Sequence, residues 1–160
     1  MAGSYHSCST YWLSCHIAHD GHSQDADRKL NDGDAERLEA VVVVDCRPTE
    51  AYNAAHVRGA VSLSLPTLMT RRLARGQLAA STVIGVIQQR QRQPLTTDSW
   101  KHRPVIFYDD STSLPVSSST SNSCLVMMLT QRFNDDGYRA MTLDGRFGFY
   151  RATLCVARSL

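Results

Sequence analysis

The chain contains no run of 18 apolar residues, so no helix in it is expected to span a membrane. Nor does a cationic start lead into an apolar stretch, so no signal peptide is expected. The five cysteines (8, 15, 46, 124 and 155) are odd in number and lack close pairing. That excludes a disulfide scaffold and suits a reducing, intracellular setting. A metal pattern is missing too. Cys8, Cys15, His16, His19 and His22 match no established zinc spacing, and no second ligand pair follows. A polar tail without metal or cofactor is the expectation. A single aromatic, Trp100, lies among the arginines of 71–103, too few for a stacking platform for single-stranded nucleic acid.

What is present fits one α/β domain: 160 residues, 42% of them hydrophobic, enough for a core. The net charge of +2 hides an asymmetry. Residues 1–50 carry nine acidic and four basic side chains, a net −5, and residues 51–160 carry six and thirteen, a net +7. Within 51–108, eight basic residues face Asp98 alone. Such a surface attracts an acidic partner.

Residues 1–34 read as a polar extension with one weak apolar cluster, Tyr11-Trp12-Leu13 with Ile17, and at best a short helix. Residues 35–156 read as the domain and 157–160 as a tail. Four consecutive valines, Val41–Val44, predict a strand buried on both faces, as in a parallel sheet. Thr49 is placed to cap a short helix through Tyr52 to Ala55, and Ala60–Leu63 follows as a strand. Pro66 suits a first helical position and Gly76 a left-handed stop, giving a helix over 66–75. Thr82–Arg92 is amphipathic, with Val83, Ile84 and Ile87 on one side. A polar loop then ends at Pro104, before the strand Val105–Tyr108. Ser111–Ser123, with seven serines and two threonines, reads as a loop. Asn122 or Ser123 is placed to cap a helix whose Leu125, Met128, Leu129 and Phe133 face the core and which Gly137 ends. Met141–Leu143 is expected as a last strand and Arg146–Leu154 as a last helix. Strands alternating with helices imply a parallel sheet covered on both faces.

The segment Val41–Gly76 carries a more specific pattern. Asp45, Arg47, Tyr52, His56, Val57, Gly59 and Ala60 resemble the opening signature of a rhodanese domain. The run LPTLMTRRLARGQL is similar to the kinase-docking segment in the rhodanese-like N-terminal domain of MAP kinase phosphatases. The resemblance extends to the cytoplasmic subgroup that prefers extracellular-signal-regulated kinases. It covers roughly Ala35–Leu154, and LDGRFGFYRA resembles the rhodanese ending, with Arg146 where a second glycine is common. The implied fold is α/β: a three-layer rhodanese-like fold with a central parallel sheet flanked by helices.

In a sulfurtransferase of that fold, a cysteine opens the loop after the strand corresponding to Val105–Tyr108. Here Asp109 stands there, followed by Asp110. A carboxylate forms no persulfide, and two of them repel an incoming anion. Cys46, between Asp45 and Arg47, is the other thiol to weigh; Arg47 lowers its pKa only if Asp45 does not offset that charge. A buried structural role is expected for it, as for Cys124 and Cys155. The phosphatase half of the family requires His-Cys, five residues and Arg, a motif missing from these residues. The chain is therefore expected to be non-catalytic. Asp45, Arg47, His56 and Gly59 are expected as structural signature residues: a charged pair at a strand end, a histidine bonded to backbone, and a glycine turn.

By resemblance, the expected function is a docking module that binds a MAP kinase, of the extracellular-signal-regulated type by preference. Its expected location is the cytoplasm, with the nucleus as a second compartment. Arg71, Arg72 and Arg75 would supply the cations. Val61, Leu63 and Leu65 would supply apolar alternation, with Met69 and Leu73 beside them. No membrane or nucleic-acid partner is expected. The alternative is a degenerate sulfurtransferase-like or anion-binding rhodanese domain.

Overall fold

A computed structural model describes residues 7–9, 13, 41–90, 97–110, 121–143 and 155–157. The chain order is β1 (Ser7–Cys8), β2 (Val42–Asp45), α1 (Thr49–Ala54), β3 (Ala55–Val57), β4 (Val61–Ser62), α2 (Thr67–Ala74) and α3 (Ala80–Arg90). It continues with α4 (Thr97–Lys101), β5 (Val105–Tyr108), α5 (Ser121–Asp135), β6 (Ala140–Leu143) and β7 (Cys155–Ala157). Five strands form one sheet in the order β1-β6-β5-β2-β4, every neighbouring pair parallel. β3 and β7 pair antiparallel as a small separate sheet.

The valine run behaves as its composition demands. Alternate residues of β2 enter two different cores: Val42 and Val44 join Val105, Phe107, Leu129 and Phe133 on one face, and Val43 joins Ile106, Tyr108 and Leu143 on the other. A strand in the middle of a parallel sheet has no face left for water. Residues of α2, α3 and α5 line the first face, with Trp100 of α4 fully buried among them.

Both helix stops that glycine predicted are built. Gly76 (φ 67°) and Gly137 (φ 85°) sit in the left-handed region, which costs glycine nothing. After α2, the Gln77 amide reaches the Arg72 carbonyl (2.8 Å) and the Gly76 amide reaches Leu73 (2.9 Å). After α5, Tyr138 reaches Phe133 (2.9 Å) and Gly137 reaches Asn134 (3.1 Å). These are the paired bonds of a Schellman stop, and the Phe133 and Tyr138 rings pack against each other at 5.3 Å.

Several sequence expectations need correction. Thr49 caps nothing: Pro48 holds the N-cap position, no side-chain cap bond forms, and Thr49 is already helical. Pro66 is likewise an N-cap rather than a first helical residue, because its ψ of 147° is extended. The third helix runs Ala80–Arg90, two residues earlier than expected. Asn122 and Ser123 lie inside α5, which reaches back to Ser121; capping preference alone fixes a boundary only to one or two residues. The stretch before Pro104 holds α4, too short to show a helical period. Residues 7–8 are no solvated tail either. β1 pairs with β6, and Cys8 and Leu13 are buried in the second core. At the other end, β7 carries paired structure through Ala157, past the expected boundary of the domain. The helix expected at 146–154 lies outside the described residues, as do Cys15, His16, His19 and His22.

Phe133 meets Phe107 edge-on at 5.0 Å as well as Tyr138. Phe133→Ala should therefore lower unfolding free energy by about 3–5 kcal/mol in urea titrations. Leu68→Ala, at an exposed leucine, should change it by less than about 0.5 kcal/mol. Equal effects from the two substitutions would contradict the assignment of this core.

Candidate functional site

Among the described residues, two places have chemistry to offer: the carboxyl ends of β2 and β5, and the outer face of α2. At the first, the Asp45 carboxylate is fully buried and receives five hydrogen bonds. Oδ1 accepts from the Arg47 amide (2.9 Å) and Arg47 Nε (3.0 Å). Oδ2 accepts from Arg47 Nε (3.2 Å), Arg47 Nη2 (2.7 Å) and the Tyr108 hydroxyl (2.5 Å). Arg47 Nη2 also donates to the Ala55 carbonyl (2.7 Å), and Tyr108 Oη accepts from the Val57 amide (3.2 Å). β3 is thus held from both ends. His56, between those anchors, bonds through Nδ1 to the Tyr52 carbonyl (2.9 Å) and stacks on the Tyr52 ring at 4.0 Å. The Tyr52 hydroxyl donates to the Ala60 carbonyl (2.9 Å), just past Gly59 (φ 74°). The signature residues Asp45, Arg47, His56 and Gly59 are therefore brought together as a brace around β3.

Burial and the Asp45 charge set the electrostatics of this brace. Burial works against the Arg47 charge, but bonding and attraction to Asp45 outweigh it, so Arg47 stays protonated above its ordinary range. Burial and the Asp45 charge push the Tyr108 phenol up. Burial, then Asp45 and Asp109, push the Cys46 thiol well above its usual value. Asp109 is buried directly after β5, and Asp110 is 61% exposed at 3.4 Å from Arg47 Nη1. Among the described residues no group of histidine, cysteine and carboxylate side chains is arranged to hold a metal ion.

The second place is α2. Leu68, Arg71, Arg72 and Arg75 are all exposed. Their spacing of i, i+3, i+4 and i+7 puts them on one face. Arg71 and Arg72 occupy the last turn, where cations suit the helix dipole. The apolar residues expected beside them divide differently. Leu63 (0% exposed), Leu73 (4%) and Val61 (6%) belong to the core, so they are corrected: a side chain already removed from water has no surface to give a partner. Leu65 and Met69 are half-buried against that core. The residue missed was Leu68, 61% exposed. The helical period about Leu73 was the signal that could have found it, since Leu68 falls on the arginine side.

The arginine end of α2 lies at the opposite edge of the sheet from the first place. Asn134, in the last turn of α5, bonds both the amide (2.9 Å) and the carbonyl (3.1 Å) of Ala140 at the start of β6. Arg132 Nη1 lies 3.5 Å from the Gly76 carbonyl. The arginine end of α2 therefore sits at the amino edge, away from Asp109.

The rhodanese-like domain model matches residues 23–142. The chain belongs to the rhodanese-like domain family. This rhodanese-like domain is similar to dual specificity protein phosphatase 6 of Homo sapiens, 30% identical over 116 residues that make up 71% of this chain and 29% of the relative. It is similar to dual specificity protein phosphatase 7 of Homo sapiens, 30% identical over 121 residues, 72% of this chain and 28% of the relative. A third relative is dual specificity protein phosphatase Mpk3 of Drosophila melanogaster, 25% identical over 156 residues, 92% of this chain and 33% of the relative. The rhodanese-like domain thus spans a third or less of the length of these relatives.

The raised Cys46 pKa predicts a protonated, unreactive thiol at neutral pH. Iodoacetamide at pH 7.5–8, read by peptide mass spectrometry, should label Cys46 far more slowly in the folded protein than in denaturant. Labelling should accelerate only as pH rises well above the ordinary thiol range. Equal rates folded and unfolded would mean that the thiol is an accessible thiolate.

Proposed function

We propose that this rhodanese-like domain is a non-catalytic docking module for a MAP kinase, with the exposed face of α2 as its contact surface. One observation carries the reading: Leu68, Arg71, Arg72 and Arg75 form a single solvent-facing stripe on a helix whose opposite side is anchored in the core. Three cations and one leucine offer what an acidic patch beside an apolar depression would take up. Guanidinium groups fork onto carboxylates in a way that lysine does not. The similarity to dual specificity phosphatases supports a kinase as the partner. The arginine motif further favours the extracellular-signal-regulated type, met in the cytoplasm with the nucleus as a second compartment.

The alternative, a sulfurtransferase-like or anion-binding domain, draws less support. An acidic pair, Asp109 and Asp110, follows β5, and the Cys46 thiol is buried and held protonated. Arg47, which also reaches Asp110 at 3.4 Å, is committed to Asp45. In the proposed role the domain tethers a kinase, presenting it to a phosphatase domain or retaining it in one compartment, and turns over nothing itself.

Losing one partner of a desolvated interfacial pair costs about 2–5 kcal/mol. Taking about 3 kcal/mol for the two together, Arg71→Ala with Arg72→Ala should weaken binding to a purified extracellular-signal-regulated kinase about a hundredfold in calorimetry. Leu68→Ala should weaken it about five- to tenfold through lost apolar contact. Arg58→Ala with Lys101→Ala, also exposed cations, should leave it within about twofold. Equal losses from both arginine-bearing pairs would reveal diffuse electrostatics, and no loss from either would make α2 an ordinary solvated face.

A further inference from the structure

The α2–α3 connection is held at both ends by the last turn of α5 and the residue just after it, far away in sequence. At its start, Arg132 Nη1 donates to the Gly76 carbonyl (3.5 Å) across a separation of 56 residues. At its finish, Asp136 Oδ2 accepts from the Ala80 amide (2.7 Å), again across 56 residues. The two clamp residues are themselves paired, Arg132 Nη2 to Asp136 Oδ1 at 3.1 Å, and both are only partly exposed.

Each contact answers a need created by the sequence. α3 begins after Leu78-Ala79, and the Ala79 carbonyl accepts the Thr82 and Val83 amides, which makes Ala79 the N-cap. Alanine has no oxygen with which to cap. The first-turn amide of Ala80 would be an orphan without Asp136, whose negative charge also suits a helix N-terminus. The Gly76 carbonyl lies just past the helical ladder of α2 and takes its donor from Arg132. Neither residue touches the exposed stripe directly. Both fix the segment that leads out of Arg75, and α5 in turn is tied to β6 through Asn134.

We infer that Arg132 and Asp136 are positioning residues for the arginine stripe. They staple the end of α2 to the sheet, so that Arg71, Arg72 and Arg75 meet an acidic partner already oriented. The inference rests on the docking reading and adds the source of its preorganisation. A stripe on a fraying helix end would have to be ordered at each binding event, at a cost in affinity.

The test uses Asp136→Ala, Asp136→Asn and, as a control on the same helix, Gln131→Ala, whose exposed partner is Asp135. Amide exchange over residues 76–82 and affinity for a purified extracellular-signal-regulated kinase are read together. Asp136→Ala should speed exchange there about fivefold, the usual consequence of a lost cap, and weaken kinase binding about fivefold. Asp136→Asn keeps an oxygen for the Ala80 amide and should restore most of both. Gln131→Ala should change neither. In the Arg71→Ala, Arg72→Ala background, Asp136→Ala should cause little further loss, because it acts through those arginines. Faster exchange with unchanged affinity would overturn the inference and leave the clamp merely structural. Losses that add independently in the double background would overturn it as well. A wild-type protein that binds no kinase would sink the docking reading itself, a result that neither Asp136 variant alone can produce.

Discussion

The buried carboxylate of Asp45 is the constraint on which the rest of this molecule depends. A charge with no exposure to water is tolerable only when every lone pair has a donor. Here the backbone and guanidinium of Arg47 and the phenol of Tyr108 supply them. Meeting that requirement joins β2 to β5 and carries both onward to β3, through the Ala55 carbonyl and the Val57 amide. From β3 so held, the chain turns at Gly59 into β4 and on to α2. The polar signature at the strand end therefore fixes β3 against β2 and β5.

The same constraint sets the electrostatics of the carboxyl edge. Burial, with the charges of Asp45 and Asp109 added, keeps the Cys46 proton in place. An anion approaching that edge meets Asp110 in the open and Asp109 beneath it. Arg47 could have attracted such an anion, but its guanidinium is spent on Asp45 and Ala55. The exposed cations of α2 stand at the other end of the sheet. Among the described residues charge is thus segregated: the carboxyl edge presents Asp109 and Asp110, and the far end presents the exposed Arg71, Arg72 and Arg75 of α2.

Much of this was legible in the sequence, because local rules and the global fold agree there. The valine run has one physical home, a strand covered on both faces. Gly76 and Gly137 stand where a left-handed residue ends a helix, and Asp45 with Arg47 announced a charged strand end. What stayed hidden depended on partners distant along the chain. α4 is a single turn made worthwhile by burying Trp100, and no period reveals it. β1 and β7 are two and three residues long and exist only because β6 and β3 offer them edges. At the site, apolar character was mistaken for availability. Leu63 and Leu73 are equally apolar but serve the core, whereas Leu68, one turn from Arg72, stays in water. A motif read as a string does not say which of its leucines face inward; the helical period, anchored by one buried residue, does.

The central claim is that a partner kinase covers the arginine face of α2 and leaves the carboxyl edge bare. Amide hydrogen exchange of the domain, free and saturated with a purified extracellular-signal-regulated kinase, addresses it directly. The account predicts slowed exchange across residues 67–77 and unchanged exchange at Cys46, Arg47, Asp109 and Asp110. Protection centred on the loop after β5, with α2 unaffected, would contradict it.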